Sequence, residues 1–265
     1  MLYWYSGTGN SRYAAHRIAE IIGENETVFI PTALGVQTRA DRNLGVTAHA
    51  SSGCDDMLGF CFPVYSWGVP PVVLQLIESL DEGLLREKYI YAVLTCGDEA
   101  GKAAEMLRKA LNKRGVKPNA IFTLIMPNDY VMLPGFDVDS KEVESDKLQK
   151  AEGRIEAIAK VLERRAEADE VFEGPMAALK TAIVYPLFKR WGVQPKRWKV
   201  NRSTCISCGK CAMNCPAGNI EMKEGYPHWG ERCYSCTACF HICPERSIDY
   251  GRFTTGKKQY FCPKK

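Results

Sequence analysis

Eight of the chain's twelve cysteines fall between Cys205 and Cys243, and their spacing limits the fold more than any other feature of the sequence. Cys205-x₂-Cys208-x₂-Cys211-x₃-Cys215-Pro216 is followed by Cys233-x₂-Cys236-x₂-Cys239-x₃-Cys243-Pro244, a repeat of roughly 28 residues. Three thiolates two residues apart can wrap a tight loop around one compact inorganic body, and a cubane of four irons needs four such ligands. Four-cysteine zinc sites usually present two cysteine pairs separated by a loop, so the spacing favours two [4Fe–4S] clusters over zinc. Met1–Ser6 has no basic leader and only a short apolar stretch. The crowded thiols are therefore expected to bind metal rather than pair as disulfides, in a cytoplasmic setting.

Over roughly 45 residues this stretch resembles the bacterial two-cluster ferredoxins, both Cys-Pro endings included. The resemblance implies low-potential electron transfer and a crossed ligand set. Cys205, Cys208, Cys211 and Cys243 would hold one cluster, and Cys233, Cys236, Cys239 and Cys215 the other. Ile220 and Ile248, a few positions after each Pro, are expected to shield the clusters. His241 is expected to be a partly exposed bystander, and Cys262 a free thiol in a mobile tail.

The N-terminal part alternates short apolar runs with helical patterns. Leu2–Tyr5, Val28–Ile30, Met57–Phe62, Tyr89–Thr95 and Ile121–Met126 read as strands. Asn10–Gly23, Pro70–Leu80, Gly101–Arg114 and Lys141–Ala166 read as helices, while Pro31–Gly53 gives no clear period. The expected fold class is α/β: a doubly wound five-stranded parallel sheet of order 2-1-3-4-5, followed by a small α+β module bearing the cysteines. The expected boundaries are 1–171, a basic apolar connector over 172–203, and 204–265 including a C-terminal tail.

Between the first strand and the first helix lies Ser6-Gly7-Thr8-Gly9-Asn10-Ser11, where backbone amides and the positive helix end can hold a phosphate. The loop lacks the lysine of a P-loop, and Arg12 stands where a dinucleotide fingerprint needs a third glycine. This loop, in this place, resembles the FMN phosphate loop of flavodoxins. The resemblance implies that the loops after the third and fourth strands hold the ring. These are Pro63-Val64-Tyr65-Ser66-Trp67-Gly68 and Thr95-Cys96-Gly97-Asp98. The second of them carries no aromatic, so Tyr130 after the fifth strand is the candidate for the other ring face, which is otherwise open to a partner or to the cysteine module. Cys54, Cys61 and Cys96 are expected to be small packing residues.

The order of the modules resembles that of flavodoxin–ferredoxin fusion proteins. The implied function is electron transfer between two [4Fe–4S] clusters and FMN, interconverting one- and two-electron steps, with a ferredoxin-like or other redox protein as partner. The alternative is an FMN-dependent reductase of a quinone or nitro compound, fed by the clusters. The formal charge of +4 gives no pointer to nucleic acid, because two oxidised clusters with their thiolates bring it to about zero and an FMN dianion to about −2. No run approaches the length of a membrane span. The connector places Lys180, Lys189, Arg190, Lys196, Arg197, Lys199 and Arg202 among large apolar residues without an acid between them. It suits packing between modules, docking of an acidic partner or contact with an anionic membrane, in that order of expectation, the last being opposed by Pro186.

Overall fold

A computed structural model describes residues 1–38, 56–192 and 194–264. Its larger part is a parallel sheet built from β1 (Leu2–Trp4), β2 (Thr27–Phe29), β3 (Met57–Pro63), β4 (Tyr89–Cys96), β5 (Ala120–Ile125) and β6 (Ala168–Glu170). The strand order is β2-β1-β3-β4-β5-β6, all parallel. β3 and β4 are buried along almost their whole length, as central strands covered on both faces must be. The longer helices of this part are α1 (Asn10–Ile22), α3 (Pro71–Ser79), α4 (Ala103–Lys113) and α5 (Lys141–Glu163), with a single turn, α2 (Ile30–Ala33), after β2. Helix α1 packs on α5, whereas α3 packs with α2 and α4. Two separate groups of helices are what right-handed crossovers place on the two faces of such a sheet.

The sheet has six strands where the sequence predicts five. Ala168, Asp169 and Glu170 have none of the apolar texture of a buried strand, because β6 is a short edge lying in solvent. Arg108 and Arg154 reach across to Asp169 and Glu170 at 2.6 Å each, exposed ion pairs that add little to stability. Helix α5 starts at a Ser140 cap whose Oγ accepts from the Val143 amide at 3.4 Å. The Pro31–Gly53 stretch begins within α2, and residues 39–55, with Cys54, lie outside the described residues.

The smaller part carries the repeat in its backbone. Two one-turn helices, Lys210–Met213 and Ala238–His241, stand at equivalent places. Left-handed residues recur at matching positions too: Ser207 and Ser235, Gly209 and Thr237, Gly218 and Arg246. The first two pairs turn the chain between successive cysteines of each run, and the third follows the Cys-Pro that ends it. Strand β7 (Trp198–Val200) belongs to this module, so the end of the connector is part of it. It pairs antiparallel with the last strand, Ile248–Tyr250, beside a hairpin of Ile220–Lys223 and Tyr226–Trp229.

The reversal of strand order at β1 and β3 opens a crevice at the carboxyl ends of the strands, which positions the loops after β1, β3, β4 and β5 around one space. Close packing beneath it leaves no room at Gly59 of β3. A Cβ there would lie 2.3 Å from the Tyr91 ring and 2.7 Å from Leu2, and both residues are fully buried. Gly59→Ala is expected to cost about 1–3 kcal/mol, read as a lower urea midpoint at an unchanged slope.

Candidate cofactor sites

The crevice is a cavity of about 430 Å³. All the residues predicted from the β1, β3 and β4 loops line it except Gly9 and Gly68: Ser6, Gly7, Thr8, Asn10, Ser11, Pro63, Val64, Tyr65, Ser66, Trp67, Thr95, Cys96, Gly97 and Asp98. Tyr130 lines it as well. Gly9 instead caps α1 at φ 102°, its amide taken by Ser6 Oγ at 3.1 Å. Several polar side chains of the loop are also committed: Ser11 Oγ pairs with Thr95 Oγ1 at 2.7 Å, and Thr8 Oγ1 donates to the Asp129 carboxylate. Asn10 donates to the Pro127 carbonyl at 3.0 Å. What the loop keeps for an anion is its backbone, since first-turn amides of a helix have no acceptor within it.

Residues that sequence reasoning did not assign complete the cavity. Asp129 is half-buried, and burial raises its carboxyl pKa to about 6 against the opposing pull of the Thr8 hydroxyl. Asn128 donates to Asp98 and Asp139, tying the loops after β4 and β5 together. Gly97 leaves room for that side chain, for a Cβ would fall 1.6 Å from Asn128 Oδ1. The β3 loop turns through Ser66 and Trp67, both at positive φ, closed by reciprocal 2.9 Å bonds between Tyr65 and Gly68. Trp67 is pinned there, its indole donating to Glu99 at 2.7 Å beneath the Lys180 ammonium. The cavity is also lined from the connector by Lys180, Val184 and Phe188 and from the cysteine module by Ser235, Cys236 and Thr237. A hydroxyl-rich amide loop joined to an apolar, aromatic-lined space fits a phosphorylated flavin.

The cysteines gather around two further cavities. Cys205, Cys208, Cys211 and Cys243 line one, and Cys215, Cys233, Cys236 and Cys239 line the other. Among the described residues no three His, Cys, Asp or Glu converge on a point as they would on a single ion. Each thiol set surrounds a space. Backbone amides already point at sulfur: Asn219 to Cys215 at 3.3 Å, Ser247 to Cys243 at 3.3 Å and Ser235 to Cys233 at 3.4 Å. Such donors favour ligating thiolates, and the first two hold the fourth cysteine of each run by the same four-residue reach. Ile220 and Ile248 are buried, one beside each cavity.

The cysteine module and the flavin-sized cavity share a wall. Cys236 lines both the second thiol cavity and the large one. A Cβ on Gly7 would lie 2.5 Å from the Cys236 carbonyl oxygen and 2.8 Å from its Cβ, so the loop after β1 and the second cysteine loop approach closely at this glycine.

Two expectations are corrected at this junction. His241 is buried at 5% exposure rather than partly exposed. Its Nδ1 accepts from the Tyr260 amide at 3.1 Å, which leaves the proton on Nε2 to donate to the Asp129 carbonyl at 2.8 Å. Burial lowers its pKa to about 4, so it stays neutral at ordinary pH. Cys262 is buried too, and its tail is a strap: the Cys262 amide donates to the Thr8 carbonyl at 2.8 Å and the Tyr260 hydroxyl to Asn10 at 2.5 Å. Gln259 binds the Phe240 and Cys243 carbonyls at 2.6 and 2.8 Å. Cys61 and Cys96 are buried packing residues, as expected; burial pushes the Cys96 thiol up to about 12.

The profile of the 4Fe–4S dicluster domain matches residues 196–248. Over 46 residues the chain is 44% identical to a component of the ion-translocating oxidoreductase complex of Methanosarcina acetivorans, a match covering 17% of each chain. Rubredoxin oxygen:oxidoreductase from Desulfovibrio gigas superposes on 62% of this chain and 36% of its own, with TM-score 0.35 and 12% identity. An FMN-dependent NADH-azoreductase from Bacillus anthracis, solved with FMN, superposes on 60% of this chain and 98% of its own, with TM-score 0.34 and 10% identity. The chain thus carries a 4Fe–4S dicluster domain behind a doubly wound, flavodoxin-like module, the order found in the flavodoxin–ferredoxin fusion proteins it resembles.

Removing residues 259–265 deletes the strap from both modules at once. At about 1 kcal/mol per net hydrogen bond, the truncated chain is expected to lose about 2–4 kcal/mol. Amide exchange should quicken at Thr8–Ser11 and Phe240–Cys243 together while β3 and β4 keep their protection.

Proposed function

We propose that this chain is an electron-transfer protein in which two four-iron clusters on the cysteine module exchange electrons with an FMN in the cavity of the α/β module. When bound, the clusters supply one-electron steps and the flavin one- or two-electron steps, so together they can interconvert the two. Cys205, Cys208, Cys211 and Cys243 would hold one cluster, and Cys215, Cys233, Cys236 and Cys239 the other. The Ser6–Ser11 backbone would hold the phosphate, and the loops bearing Tyr65, Trp67, Gly97 and Tyr130 would flank the ring.

The observation that carries this reading is the shared wall: Cys236 belongs to a thiol cavity and to the flavin-sized cavity at once. Of the two cysteine sets, the one containing Cys236 adjoins the large cavity, so electrons would pass along a series from the outer set through the inner set to the flavin. Ser235 and Thr237, both buried, line the large cavity on either side of Cys236.

Anaerobically purified protein should contain about eight irons, eight acid-labile sulfides and one FMN per chain. Cys215→Ala should then remove the spectrum of the inner cluster and stop flavin reduction by the remaining one, whereas Cys243→Ala should remove the outer cluster and spare inner-cluster exchange with flavin. Each substitution damaging the cluster of its own sequence run would overturn the crossed assignment, and zinc in place of iron would overturn the reading altogether.

Asp129 gives FMN binding a pH dependence of known sign. Its carboxyl, raised to about 6 by burial, is neutral below that value and an anion above it, close to the loop that would take a dianion. FMN affinity should therefore fall as pH rises through about 6. Because the phosphate titrates in the same range, the check is the difference from Asp129→Asn, which should bind more tightly than the parent at pH 8 and about equally at pH 5.

A further inference from the structure

The connector helix, α6 (Ala177–Leu187), has two unlike faces. Its inner face is the lid of the large cavity: Val184 and the following Phe188 line the space, and the Tyr185 hydroxyl donates to the Val69 carbonyl at 2.6 Å. The Tyr185 ring is seated so closely on the β3 loop that a Cβ at Gly68 would lie 2.3 Å from it. The outer face carries Leu179, Ile183 and Leu187, with Met176 preceding them, at steps of three and four residues. These side chains are 49, 51, 43 and 65% exposed. A stripe of aliphatic side chains on one side of a helix ordinarily faces a core, and this one faces outward.

The sequence that follows the stripe is basic, while within the helix Lys180 is paired with Glu99. Lys189, Arg190, Lys196, Arg197 and Lys199 follow it, and no acidic residue occurs between Glu173 and Glu221. Pro186, which the sequence sets against a continuous helix, does not break it. The helix runs through to Leu187 and passes into a π-helical turn over Phe188–Gly192, which carries Lys189 and Arg190. The rim of the cavity repeats the pattern, since Leu133 and Phe136 line it and are each 43% exposed.

We propose that α6 is an interfacial helix by which this chain docks reversibly on an anionic membrane surface. Its outer aliphatic stripe would sit at the boundary of headgroups and acyl chains, and the basic residues after it would lie over lipid phosphates. The occupant is a bilayer rather than an acidic protein because the apolar surface is a convex, single-helix stripe flanked by cations. That is the form a lipid surface accepts without a matching groove. Through the inner face of the same helix, docking places the lid of the cavity at the membrane. The inference stands on exposure, charge and helix geometry, independently of which cofactors the chain binds.

The test is flotation of the cofactor-loaded protein with phosphatidylcholine vesicles, with and without phosphatidylglycerol. The parent should float with the anionic vesicles, weakly or not at all with the neutral ones, and less as salt is raised. Ile183→Glu and Leu187→Glu lie on the outer face, away from the cavity, and each should weaken partition at least about tenfold while circular dichroism and cofactor content stay as in the parent. Lys189→Gln with Arg190→Gln should remove the preference for anionic lipid. No flotation of the parent at low salt, or equal flotation of parent and Ile183→Glu, overturns the proposal. So does loss of binding to an acidic redox protein by the charge variant with no lipid binding in either, which would give the surface to a protein.

Discussion

The relation between the two modules follows from the close approach of Gly7 and Cys236. Only a residue without a side chain can sit there, because a Cβ would fall well inside contact distance of the Cys236 carbonyl oxygen. The glycine near the start of the loop after β1 is thus the glycine that admits the cysteine loop.

Around this contact the chain adds supports drawn from distant parts of the sequence. His241 joins the carbonyl of Asp129 to the amide of Tyr260, and Asp129 in turn holds the Thr8 hydroxyl. Lys257 gives its ammonium protons to the carbonyls of Val131, Leu133 and Phe136, each at 2.6 Å. Such bonds are modest singly. Their effect lies in direction, since they fix the β5 loop, the cysteine module and the tail in one arrangement, and distance and orientation are what electron exchange depends on.

The parts legible in the sequence are those where chemistry leaves little choice. Cysteine spacing is dictated by what a cluster loop can span, and the glycines and hydroxyls of the loop after β1 mark a tight turn into a helix. The long buried strands β3 and β4 announce themselves by continuous apolar runs. β6 does not, because three residues on an exposed edge, two of them acidic, look like loop. Nor does the lid: Val184, Tyr185 and Phe188 differ in nothing local from Leu179, Ile183 and Leu187, and only the tertiary fold decides which set turns inward. The tail resembles a mobile end because a short polar segment finishing in lysines has no period. Its order comes from Thr8 and Asn10, more than two hundred residues away.

That separation bears on the order of assembly. The α/β module has all six of its strands by Glu170, yet the carbonyl of Thr8 and the side-chain oxygen of Asn10 accept from Cys262 and Tyr260, far along the chain. The support that these two bonds give the loop after β1 is therefore available only once residues 260–262 have been made, long after the strands that flank the loop.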